Sequence, residues 1–243
     1  MDSLQVKQRN SAIDIFRLVC AIMVVAIHTH PFEEINDSLS FIATQIFPRV
    51  GVPFFFCIAG LYFTRKLLAG KPVRKQVFDL FSIYLFWSLV YFLKDLLLAL
   101  YNKDFSIFSI RKIFLDFFIL GSSYHFWYFP ALFFCMFLAI VFNKFHSLRF
   151  LGILTIPLYI IGLLGCSYKT VGDRIPVINL LINSQHFTLI RRVILMGLPF
   201  FMLGYFVNHY INHREQRTEN REQRTENREQ RTENRDCGSF LFH

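Results

Sequence analysis

The chain holds 243 residues, 54% of them hydrophobic and 18% aromatic, with 31 phenylalanines. That much apolar and aromatic surface exceeds what a water-soluble domain of this length carries, which excludes an ordinary soluble enzyme and points to a polytopic membrane protein. The net charge of +9 arises within residues 1–213, where 19 Lys and Arg stand against 10 Asp and Glu; these sit between apolar runs, and no basic stripe interleaved with stacking aromatics offers a nucleic-acid surface.

The N-terminus has a basic start (Lys7, Arg9) before an apolar stretch, the pattern of a signal peptide. The stretch runs into "HTHPFEE" with no small-x-small cleavage site, so it reads as a retained first helix. Six runs are long enough to cross a hydrocarbon core of roughly 30 Å: about 12–30, 41–63, 77–98, 126–143, 149–166 and 193–211. The expected fold is therefore an all-α polytopic membrane protein, a bundle of about six transmembrane helices with interfacial helices. The loop after the second run, "RKLLAGKPVRK", carries Arg65, Lys66, Lys71, Arg74 and Lys75 and is assigned to the cytoplasm. Counting back puts the N-terminus in the cytoplasm, and counting forward puts "NKFHSLR" there too. The expected location is the cell membrane, with membrane lipids as neighbours.

Two segments do not read as plain spans. Residues 105–120 place Arg111, Lys112 and Asp116 among apolar residues. Three mid-segment charges are costly in lipid, so an amphipathic helix at the outer interface is expected. Residues 176–192, with Asn179, Asn183, Gln185, His186 and the pair Arg191–Arg192, read as a similar interfacial or partly buried element.

From Arg214 the heptapeptide "REQRTEN" occurs three times unchanged, followed by "RDCGSFLFH". No apolar residue stands in the repeat to form a coiled-coil seam. Its composition is that of a solvated, disordered segment. The chain thus divides into a membrane domain, 1–212, and a low-complexity tail, 213–243. Of five cysteines, Cys20, Cys57, Cys135 and Cys166 fall in apolar runs and read as small packing residues. There is no CxxC pair, HExxH, phosphate-cradling glycine loop or serine elbow, so no metal site is expected.

In "FRLVCAIMVVAIH" (16–28), Arg17 and His28 are eleven residues apart, three helical turns plus about 20°, so both lie on one face about 16 Å apart along the axis. Ionisable residues inside a span by default mark a polar cavity or pathway. Taken alone, Arg17 also fits an arginine snorkelling to the headgroups, and His28 an interfacial histidine at a helix end. Asp14, three residues before Arg17, can pair with it.

Arg-x10-His in a first membrane helix resembles the membrane-bound acyltransferase-3 family. The resemblance continues through "VPFFFCIAGLYF" (52–63), "HFWYFPAL" (125–132) and "RRVILMGLPFFMLGY" (191–205), in that order. Within the family, the first block and "HTHPF" look closest to the membrane part of vancomycin-resistance serine racemases. Family members usually have about ten spans and six precede the repeat here, so the resemblance implies a domain incomplete at its C-terminal end.

The resemblance implies transfer of an acyl group, acetyl above all, from acetyl-CoA or another acyl-CoA to a hydroxyl or amine of a cell-envelope carbohydrate or related acceptor. No bound cofactor is implied. Arg17 would hold an anionic part of the donor, for which a guanidinium fork is suited. His28 would be the base, or would carry the acyl group itself; the sequence does not separate these. Glu33 falls where some members have an acidic partner of this histidine, with Glu34 a close competitor. His125, Trp127 and Tyr128, with Arg111 and Arg191, make a candidate acceptor side, although a Trp–Tyr pair equally suits an aromatic belt. A substrate-binding or transport module, and an inactive remnant, remain as alternative readings.

Overall fold

The computed structural model describes residues 11–29, 31, 34–103, 110–184 and 187–240, and all regular structure among them is helical. In chain order the α-helices are α1 (Ser11–Thr29), α2 (Asp37–Phe41), α3 (Gly51–Leu68), α4 (Arg74–Asn102), α5 (Ile110–Leu115), α6 (Tyr128–Lys144), α7 (Leu148–Leu164), α8 (Lys169–Gly172), α9 (Pro176–Ile182), α10 (Phe187–Ile190) and α11 (Leu198–Phe240). Three π-helical segments, Ile42–Ile46, Asp116–Leu120 and Arg191–Gly197, and two 3-10 turns, Phe47–Val50 and Tyr124–Trp127, interrupt the regular helices.

Each expected apolar run is helical, but the runs are not equal. Four stretches are long and apolar enough to cross a membrane: Ser11–Thr29, Asp37–Leu68, Arg74–Asn102 and Arg191–Arg228. The helices α6 and α7 have 17 residues each, or about 26 Å at 1.5 Å per residue, a little under a hydrocarbon core. Short helices occupy both segments expected to be interfacial. The first is α5 followed by the π segment Asp116–Leu120, and the second holds α9 and α10; residues 104–109 and 185–186 lie outside the described ones.

The packed centre of the unit Met1–Tyr205 is built around α3. On one side, Gly51 lies against Cys20 and Val24 of α1, and Phe54 meets Phe16 edge-on with ring centres 4.6 Å apart. The pairing order shows that α1 and α3 run antiparallel. On the other side, a Cβ on Gly60 would overlap the backbone carbonyl of Phe201, and one on Gly204 would overlap the carbonyl of Cys57 and lie 2.5 Å from the amide nitrogen of Leu61. Two glycines therefore let the backbones of α3 and the start of α11 touch, the device by which membrane helices gain contact where lipid supplies no hydrophobic drive. Phe56, Phe63, Phe201 and Met202 are fully buried around this crossing, and Thr64 returns its hydroxyl to the Gly60 carbonyl at 2.7 Å.

Most of α4 is exposed and apolar, as a lipid-facing helix must be. It is tied in by polar contacts at two positions one turn apart. The Tyr84 hydroxyl donates to the Phe117 carbonyl at 2.5 Å, and Ser88 and Ser122 share a hydrogen bond of 2.6 Å.

The repeat differs from the expectation of disorder: α11 continues through it to Phe240. Arg, Gln and Glu have good intrinsic helix propensity, which accounts for the conformation. Side-chain pairing does not. At heptad spacing, Arg214, Arg217 and Arg221 meet one another at three and four residues, as do Glu215, Glu219 and Glu222, and like charges at those separations oppose a helix. Residues 213–228 of the helix are exposed on every side. The second compact unit, Phe206–His243, contains them.

Candidate functional site

The helix α1 is unbroken from Ser11 to Thr29, so the register read from sequence holds: Arg17 and His28 stand about 20° apart in azimuth and about 16 Å apart along one helix. Arg17 Nη1 donates to Asp14 Oδ1 at 3.2 Å, one turn back, with both side chains a little over one-third exposed. Its guanidinium also lies 5.2 Å from the ring centre of Tyr62, near the end of α3. A carboxylate on one side and an aromatic face on the other fix the planar fork while leaving part of it open to an anion. His28 stands in the last turn of α1 and is exposed. Between the two, on the same face, are Ala21, which is exposed, and Val24, which lies against Gly51 of α3.

The aromatic block has a different setting. Gly121, with φ +91°, turns the chain between the π segment Asp116–Leu120 and the 3-10 turn Tyr124–Trp127. A side chain there would sit 2.5 Å from the Phe126 carbonyl carbon and the Trp127 amide nitrogen. The turn delivers Trp127 and Tyr128 onto α3, where Phe56 lies 4.6 Å from Tyr128 and 6.3 Å from Trp127 between ring centres. The guanidinium of Arg192 caps Trp127 at 5.3 Å. Arg191, its neighbour, reaches the other way and donates to Cys166 Sγ at 3.4 Å, beyond the end of α7.

The expected site residues thus fall into two groups with α3 between them. Arg17 and His28 belong to the α1 side of α3, and Trp127 and Tyr128 to the face that carries Phe56. Arg191 stands beside the second group but turns toward α7. Glu33 lies outside the described residues, and Glu34 is exposed in the turn that follows. Arg111 falls on α5 and His125 on the 3-10 turn, with side chains outside the described ones. Tyr62, Phe56 and Arg192 enter the arrangement as partners that sequence spacing does not assign. Each meets its neighbour across helices, and only the phenylalanine-rich and Arg-Arg blocks hinted at the last two. Among the described residues no three His, Cys, Asp or Glu side chains gather as a metal site.

A helical bundle with four stretches long and apolar enough to cross a membrane, and with an arginine and a histidine on one face of its first helix, defines a polytopic membrane protein. The chain belongs to the acyltransferase-3 family, whose acyltransferase domain matches residues 10–221. It is similar to an amino-acid racemase of Enterococcus faecalis, 33% identical over 179 residues, covering 71% of this chain and 25% of that protein. It is also similar to a serine/alanine racemase of Enterococcus gallinarum, 34% identical over 175 residues, 70% of this chain and 25% of that one. A second amino-acid racemase of Enterococcus faecalis is 30% identical over 219 residues, 86% of this chain and 29% of that protein. The chain therefore spans about a quarter of the length of the curated relatives it matches. No solved structure matches it.

Proposed function

We propose that this membrane domain transfers an acyl group, acetyl first among candidates, from a cytoplasmic acyl-CoA to a hydroxyl or amine of a cell-envelope carbohydrate or related acceptor. The observation that carries the reading is the placement of Arg17 and His28 on one face of the unbroken helix α1, with Arg17 steadied by Asp14 and Tyr62.

Arg17 takes a phosphate of the donor, and the acyl arm extends along α1 past the exposed Ala21 toward His28. With His28 as base, the imidazole accepts the acceptor's O–H proton as the oxygen attacks the thioester carbonyl. The tetrahedral adduct collapses, the C–S bond breaks, and the departing CoA thiolate takes the proton back from the imidazolium. With His28 as nucleophile, the acyl group rests on the imidazole between two such displacements. Glu33 orients the imidazole, and the acceptor approaches from the end of α1 where His28 stands. Trp127 and Tyr128, with Arg111, His125 and Arg191 near their end of the bundle, form the acceptor side; its surfaces suit an amphipathic sugar edge stacked on an aromatic ring.

A second reading is favoured by the names of the relatives. There the same face of α1 binds or moves an amino acid, Arg17 pairing with its carboxylate and His28 carrying a proton. Dependence on acyl-CoA separates the two. Under the first reading, membranes holding the chain consume acetyl-CoA when acceptor is present; under the second they concentrate a labelled amino acid with acetyl-CoA absent.

A further inference from the structure

The unit Phe206–His243 holds the three repeats, and their charges are sorted by helix face. At 100° per residue, Arg214, Arg217, Arg221 and Arg224 gather on one side of α11 and Glu215, Glu219, Glu222 and Glu226 on another, the two stripes about 150° apart. All eight residues are exposed. Arg217, Arg221 and Arg224, with Asn220, border an open depression of about 290 Å³, so the arginine side has room for a carboxylate among three guanidiniums.

The sorting works against a helix standing alone. No Arg and Glu of the repeats are three or four residues apart, so every charged pair at those spacings sets like against like. The repeat also lacks any apolar residue for a hydrophobic seam. Each stripe finds its complement in the other, and the two face away from each other on one helix, so the complement has to come from a second copy.

The spacing also fixes which pairing is possible. Copies of one chain enter a membrane in one sense, so their tails run parallel. A two-fold axis between parallel helices brings the same patch of each together, arginine against arginine. A sideways displacement instead sets the arginine stripe of one helix against the glutamate stripe of the next. No slip along the axis is needed. At about 1.5 Å per residue, Arg214 lies about 1.5 Å from the level of the partner's Glu215, and Arg221 from that of the partner's Glu222. Arg217 and Arg224 each stand about 3 Å in level from a glutamate above and another below.

We propose that the α11 tails of neighbouring copies pack side by side, the arginine stripe of one on the glutamate stripe of the next. Such a heterologous contact builds rows or rings of chains in the membrane, not two-fold dimers. Exposed ion pairs are individually weak, but a shared membrane raises the effective concentration at which a row of them acts. The assembly is independent of acyl transfer. In detergent, at one chain per micelle, the helices are apart and salt acts only on the like charges within each.

Energy transfer between donor-tagged and acceptor-tagged full chains in phosphatidylcholine vesicles tests this. A chain lacking residues 214–234, at equal density, gives the transfer due to random proximity. At about 10 mM salt the parent should exceed that level, and at about 500 mM it should fall to it as exposed charges are screened. Two variants carry one sign on both faces: Arg217→Glu with Arg221→Glu and Arg224→Glu, and Glu215→Arg with Glu219→Arg and Glu222→Arg. Each alone should associate roughly tenfold more weakly than the parent, three exposed pairs having been lost, and an equimolar mixture of the two should regain the parent's transfer. Far-UV circular dichroism against the parent tells a tail that has lost its helix from one that has lost its partner. Parent transfer no higher than that of the shortened chain would overturn the proposal, as would helical variants that associate as the parent does or whose mixture does no better than either alone. Clustering that appears only when phosphatidylglycerol is added would overturn it too, since the arginine stripe would then serve a lipid surface.

Discussion

The guanidinium of Arg17 lies 5.2 Å from the centre of the Tyr62 ring, with Asp14 3.2 Å away on its other side. This joins α1 to α3 at the end of the bundle where α3 enters the basic loop, so the arginine is held between two helices. Replacing the ring tests whether that hold serves donor binding. A partly exposed cation–π contact is worth about 0.5–1 kcal/mol, so Tyr62→Ala should raise the KM for acyl-CoA about 2- to 5-fold with kcat nearly unchanged, while Tyr62→Phe stays close to the parent. Steady-state transfer kinetics on reconstituted protein check both.

Arg17→Ala removes the charged group itself. A charge-assisted hydrogen bond to a phosphate contributes about 1.5–3 kcal/mol, so donor binding should weaken by roughly 10- to 100-fold, with Arg17→Lys recovering part of it because the fork geometry is lost. Titration of acyl-CoA binding to the reconstituted chain gives the number.

The contact of α3 with α11 rests on Gly60 and Gly204. A methyl at Gly60 meets the Phe201 backbone, which has no rotamer to move into. Overpacking of this kind costs about 1–3 kcal/mol, so Gly60→Ala should lower the unfolding temperature in detergent by several degrees, and Gly60→Leu should prevent stable purification. The exposed Leu97 of α4, changed to Ala, should leave the temperature nearly where it was.

Gly121 carries the chain into the Trp127–Tyr128 turn at φ +91°. Gly121→Ala brings both backbone strain and a clash with the Phe126–Trp127 peptide, a cost of about 1–3 kcal/mol for the strain. Because the damage is local, Trp127 emission in a Trp87→Phe background should shift to the red before global helicity falls. Ser122→Ala, which removes the bond to Ser88, should move the emission less.

In the tail, like charges face each other at helical spacing, so salt should strengthen the helix by screening them. Between 10 mM and 500 mM salt the Debye length falls from about 30 Å to a few ångströms, and helix content in residues 214–234 should rise. The difference in circular dichroism between the full chain and one lacking residues 214–234 isolates that segment. Loss of tail helicity on adding salt would contradict the charge argument.

Much of the fold was legible because it follows from length and hydropathy: every apolar run became a helix, and the Arg17–His28 register depends only on the α-helical repeat. What was not legible depends on approach between distant segments. Tyr62 reads as one more aromatic in an apolar run until α1 and α3 are packed antiparallel, and Gly60 and Gly204 gain their meaning only from each other's helices. The separation of Trp127 and Tyr128 from the Arg17–His28 face of α1 has the same origin, since nothing in their spacing says that α3 stands between. The tail misled in a different way: composition reported its solvation correctly, but solvation does not settle whether a chain of good helix formers extends the helix before it.

The central claim is acyl transfer centred on His28, and labelled acetyl is its most direct test. Membranes containing the chain, supplied with acetyl-CoA labelled in the acetyl group, are compared with membranes containing His28→Ala at equal protein level. The account predicts label in envelope carbohydrate with the parent chain and a fall to background with the variant. Label that persists in His28→Ala, or no label from an inserted and folded parent chain supplied with envelope acceptor, would contradict it.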